Sequence, residues 1–173
     1  MPMLLTRPAA DEYNPYYARY ISKVPEGDIT QTLTSQLMST LEFLETIPES
    51  KGDHLYAPGK WTVKEVLLHV IDAERIFAYR ALRIARGDAT PLASFEQDDY
   101  VPMSRAGERT VRDLAEELGH VRRASIALFE HLDEEAMARR GTASNAPVTP
   151  RALAYIIAGH EVHHVAILRE KYL

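Results

Sequence analysis

The sequence predicts an all-α protein built as a four-helix bundle. Apolar residues recur at three- and four-residue spacing in four separate stretches, and Pro and Gly punctuate the gaps between them. No stretch shows the apolar–polar alternation of a half-buried strand. The 173 residues fit a single domain, 1–173, with four helices around one core and an N-terminal segment, 1–27, laid on the bundle.

That segment carries an aromatic run, Tyr13 to Ile21, expected as a short helix packed across the bundle. The first long helix is expected over about 29–47, with Asp28 as N-cap, the stripe Ile29, Leu33, Leu37, Leu41, Leu44, Ile47, and Pro48 closing it. The second follows Pro58-Gly59-Lys60-Trp61. Thr62 and Glu65 form a capping-box pair, Val63, Val66, Val70, Phe77, Ala81 and Ile84 form the stripe, and Gly87 ends it. Trp61 is expected to staple the start of that helix. The third begins at Thr110 and carries Val111, Leu114, Leu118, Val121, Leu128 and Leu132 on one face. In the fourth, Thr149 is the N-cap, Pro150 takes the first helical position, and Leu153, Ile156, Ile157, His160, His164 and Ile167 follow. The link from 87 to 109 is too long for a tight hairpin. It can carry the chain from one end of the bundle to the other, making helices two and three parallel in a crossover topology.

Composition narrows the function. With no cysteine, disulfides, thiolate ligands, Fe–S clusters and cysteine nucleophiles are excluded, so a metal site must use nitrogen and oxygen. A formal charge of −5 argues against general nucleic-acid binding. The start of the chain lacks the form of a signal peptide and no run is long enough to span a membrane, so a cytoplasmic location is expected.

Helical phase sorts the seven histidines. Counting about 100° per residue from Leu153, His160 falls near 340° and His164 near 20°, in the middle of the apolar face, and His163 lies near 280° on its flank. His120 and His131 fall off their helix's stripe and His54 is in a loop. Two imidazoles four apart on one face can share a metal ion, and His69, at the edge of the second stripe, could supply a third. Satisfied core histidines are the plain alternative. His160-Glu161-Val162-His163-His164 also fits H-E-x-x-H, a metalloprotease pattern with Glu161 as base, but no suitable third ligand follows it.

Trp61 through His69, followed about 90 residues later by Gly159-His160-Glu161-Val162-His163-His164, resembles the DinB/YfiT-like superfamily. Glu12-Tyr13 to Gly27-Asp28 and the linker Phe95 to Tyr100 resemble one branch of it. The resemblance covers nearly the whole chain. It implies up-down-down-up topology, a homodimer, and a metal on His69, His160 and His164; the nitrogen ligands themselves make a divalent transition metal the expectation, zinc or nickel first, iron or manganese behind them. It makes His163 a supporting neighbour. Some members are S-transferases that use a low-molecular-weight thiol, and others carry the label of metal-dependent hydrolase.

The function expected is therefore thiol-dependent transfer or hydrolysis of a small molecule, the alternative being a non-catalytic metal-binding or dimerising stress-response bundle. Asp72, Glu74 and Glu161 could each receive a ligand's second N–H, and a solvated surface position is the plain alternative for each. Tyr13, Tyr16, Tyr17 and Tyr20 could line a pocket or simply pack, and packing is the expectation. Arg122-Arg123 and Arg139-Arg140 are expected in solvent, where one pair could receive a carboxylate of the thiol.

Overall fold

The computed structural model of the chain describes residues 6–173. Residues 1–5 of the expected segment 1–27 lie outside the described residues. Seven helices and one small hairpin follow in order: α1 (Ala18–Ile21), α2 (Ile29–Glu45), α3 (Val63–Ala85), α4 (Gln97–Met103), α5 (Val111–Phe129), α6 (Glu134–Ala138), β1 (Gly141–Ala143), β2 (Ala146–Val148) and α7 (Pro150–Ile167). The four long helices are the expected ones, and each expected N-cap works. Asp28 accepts from the Thr30 and Gln31 amides, Thr110 from Asp113, and Thr149 from Ala152. Thr62 and Glu65 close a full capping box: the Glu65 amide donates to the Thr62 hydroxyl at 3.2 Å, and the Thr62 amide donates to the Glu65 carboxylate at 2.7 Å.

Hydrogen bonds between helix ends fix the directions. Glu49, just past the end of α2, accepts from the Val111 and Arg112 amides at the start of α5. The Lys64 amide at the start of α3 donates to Gly52 O. Tyr172, just past α7, donates to Trp61 O at 2.6 Å. So α2 and α7 end where α3 and α5 begin, which is up-down-down-up. α3 packs on α5 and α7, and α2 packs on the same two helices. The link between α3 and α5 runs back along the bundle and contains α4. Its Arg105 takes a left-handed φ of 55°.

The hairpin was not expected. Its tip residues Ser144 and Asn145 have φ of 51° and 59°, the signature of a tight turn between antiparallel strands, yet they lack the glycine that usually announces one. The core also differs from the single one expected. Buried apolar residues form two clusters, one around Phe77, Leu153 and Ile156, the other around Val66, Leu114 and Leu118. On each long helix, buried polar residues fall between them: Thr40 on α2, His69 and Glu74 on α3, Arg122 and Ser125 on α5, and His160 and Glu161 on α7.

The N-terminal segment is tied down by a buried carboxylate. Glu12 receives Arg151 Nη2 at 2.5 Å, the Thr149 hydroxyl at 2.8 Å and the Ala9 amide at 2.9 Å. Burial would raise its pKa, but these donors outweigh burial and hold it below the ordinary glutamate value. A depressed pKa adds stability above the unfolded-state value, lost as pH falls through the folded one. Glu12→Gln is expected to cost about 2 kcal/mol at neutral pH and to show less acid destabilisation below about pH 4 than wild type, as measured by thermal melts across pH.

Candidate metal centre

His69 projects from α3, and His160 and His164 lie one turn apart on α7. Their Nε2 atoms converge. His69 and His160 Nε2 are 3.0 Å apart, His164 and His160 Nε2 are 3.1 Å apart, and all three lie within 4.8 Å of one another. Hydrogen bonding explains this poorly. A neutral imidazole nitrogen either donates one proton or presents one lone pair, so His160 Nε2 cannot make two good bonds to two other nitrogens. A cation among three lone pairs resolves the conflict. Nitrogens about 2.1 Å from one ion stand about 3.0 Å apart at a right angle and about 3.4 Å at the tetrahedral angle, so the residues present fit a divalent transition metal.

Their protonation agrees. Burial pushes His69 down to about 4, with the Asp98 carboxylate opposing, and pushes His164 to about 3 with His69 and His163 adding to it. His160, buried and beside the other imidazoles, lies well below the ordinary histidine value. All three are neutral, as ligands must be. Aromatic rings brace them: Trp61 lies 4.9 Å from the His69 ring, and Tyr20 lies 5.3 Å from both His160 and His163. His163 sits at the flank and touches His164 edge-on at 5.0 Å without joining the nitrogen cluster. His54, His120 and His131 are exposed, as expected.

The acidic candidates lie elsewhere. Asp72, half-buried, pairs with Arg75 at 3.5 Å. Glu74 accepts two bonds from Arg122, both 2.9 Å, and Glu161 Oε2 lies 2.5 Å from Arg122 Nη1. Among the described residues none of these carboxylates bonds an imidazole. The expectation that Arg122 is solvated is corrected: it is 1% exposed, and Glu74 and Glu161 are 2% exposed. Burial would loosen the Arg122 proton, but the two carboxylates bind it more firmly still. Because Arg122 holds Glu161 inside the bundle, Glu161 cannot serve as the base that the H-E-x-x-H reading requires.

Two cavities flank the imidazoles. One, of ≈ 350 Å³, is walled by Tyr16, Tyr17, Tyr20, Phe77 and Phe95 and reaches His69 and His160. The other, of ≈ 250 Å³, lies by His164, Trp61 and Tyr172. Asp98 lines both. Tyr16, Tyr17 and Tyr20 of the N-terminal tyrosine cluster therefore wall a cavity, and so does Trp61. Asp98 and Phe95 were not singled out as site residues, since nothing local in the link shows that α4 covers the imidazoles.

The DinB superfamily model matches residues 32–168. Among solved structures, YfiT from Bacillus subtilis, described as "a probable metal-dependent hydrolase with an unusual four-helix bundle topology", is similar with a TM-score of 0.74 at 18% identity, over 97% of this chain and 95% of that one. A mycothiol-dependent maleylpyruvate isomerase is similar with a TM-score of 0.67 at 13% identity, over 84% of this chain and 61% of that one. At these identities the likeness is one of fold. A search of curated proteins finds no significant match.

Proposed function

The chain belongs to the DinB superfamily, and from that premise we propose that it is a metal-dependent enzyme whose His69, His160 and His164 hold one divalent transition ion. It transfers a thiol to, or hydrolyses, a small electrophile. The observation that carries this reading is the convergence of three neutral imidazole nitrogens beside a cavity large enough for a small molecule.

A divalent ion bound there would make a water or thiol acidic enough to lose its proton near neutral pH. The chain's own groups do the rest. Three nitrogens leave room for a ligand from solution. Trp61 and Tyr20 hold the imidazole planes, and Tyr16, Tyr17, Phe77 and Phe95 wall the space beside them. With no cysteine in the chain, a sulfur nucleophile would enter as a cosubstrate. The adjoining cavity favours this reading over a metal held only for stability, which would leave no space beside the cluster.

Elemental analysis of protein purified without a histidine tag tests the site. Wild type is expected to hold about one equivalent of zinc or nickel, and His160→Ala almost none. No uptake by wild type after incubation with either ion would sink the reading. Thiol-dependent consumption of an aryl chloride would then identify the transferase, and ester cleavage without thiol the hydrolase.

A further inference from the structure

Arg80 on α3 is 3% exposed, yet among the described residues no carboxylate pairs with it. Its Nη2 donates to Ala93 O at 2.6 Å and to the Ser144 hydroxyl at 3.1 Å, Tyr17 supplies a phenol, and the guanidinium lies 5.6 Å from the Phe95 ring centre. Every one of these partners is neutral. A guanidinium kept from water with neutral partners only is costly, whereas Arg122, equally buried, has two carboxylates. Arg80 lines a small cavity of ≈ 90 Å³ whose walls Tyr16, Tyr17, Phe77 and Ser144 also line the ≈ 350 Å³ cavity at the imidazoles. The two spaces adjoin at these shared residues. His69 and Arg80 are eleven residues apart on one face of the same helix, about 16 Å along its axis, and both side chains lean toward the helix start, the longer arginine further, leaving more than about 10 Å between the imidazole and the guanidinium.

We propose that Arg80 receives an oxyanion at the far end of the ligand that occupies the imidazole cavity. The substrate or cosubstrate is then an extended molecule with a carboxylate-class group about 10 Å from its reacting atom. This rests on the imidazole cluster being the reactive centre, but the oxyanion site can be tested without metal. If Arg80 served only to tie Ala93 of the long link and the hairpin tip to α3, it would not tell a carboxylate from its ester.

Octanoate and methyl octanoate, titrated into metal-free protein by calorimetry, are the probes. Wild type is expected to bind the acid at least tenfold more tightly than the ester. Arg80→Met should abolish that preference and Arg80→Lys should keep part of it, since lysine retains the charge without the fork. The comparison of acid with ester in wild type needs no variant, so a misfolded Arg80→Met cannot obscure it. Equal binding of acid and ester by wild type, or an undiminished preference in folded Arg80→Met, overturns the proposal whatever the metal content. Acid preference without zinc uptake upholds Arg80 and overturns the metal reading instead. In zinc-loaded protein the ω-mercapto derivative of octanoate separates the two sources. A further tenfold gain over octanoate supports the proposal with the oxyanion on the thiol, and no gain supports it with the oxyanion on the electrophile.

Discussion

Arg122→Met is expected to destabilise the protein by about 3–5 kcal/mol at neutral pH. The guanidinium reaches from α5 to Glu74 on α3 and to Glu161 on α7. Removing it strands two carboxylates in an interior where neither can find water. Thermal melts at neutral pH read the effect directly, and a melting temperature unchanged from wild type would contradict it. Replacing all three charges together with Met and two Leu should recover most of the lost stability, because the attraction among the three roughly offsets what their burial costs. The triad's distinctive contribution would then be where it places α7, since Glu161 adjoins His160. The triple variant should accordingly melt near wild type but bind zinc more weakly.

Gly159→Ala should also be costly, for a reason of space. A Cβ at Gly159 would lie 2.0 Å from the Tyr20 carbonyl oxygen and 2.4 Å from its carbon, and these are backbone atoms that no rotamer change can clear. Elsewhere in a helix the substitution would gain about 1 kcal/mol of propensity. Here overpacking of about 3 kcal/mol outweighs the gain, for a net loss of about 2 kcal/mol and roughly 6 °C in melting temperature. α1 must lift away from α7, taking the Tyr20 ring off His160 and His163. Amide hydrogen exchange should therefore quicken through residues 17–24 while the variant still takes up metal. A raised melting temperature would show that α1 yields freely.

The sequence made the helices and their caps legible because both are local. Thr62 with Glu65, and Thr149 with Pro150, say where a helix starts whatever surrounds it. The pairing of His160 with His164 was legible for the same reason, since one helix sets it. His69 was ambiguous, because its direction depends on how α3 turns against α7. Arg122 was misread through its composition, yet the signal was present: it stands four residues after Leu118 and four before Ile126, inside the stripe rather than beside it. Glu74, four after Val70 and three before Phe77, repeats that signal. The aromatic cavity wall and the hairpin could not be read locally. Tyr17 and Phe95 meet across Phe77 only because the long link returns over the bundle, and Ser144-Asn145 turns without the usual glycine.

The division of the core into two apolar clusters with a polar layer between them bears on cooperativity. Apolar contact couples residues within each half but is interrupted at the middle, so simultaneous melting depends on the four helices that cross the layer and on the charges and imidazoles within it. Those groups are the hinge between two semi-independent folding units. Damage at the imidazoles or the triad should then do more than lower the midpoint of denaturation. It should broaden the transition, letting one half open while the other persists, so that the slope against denaturant falls along with the midpoint.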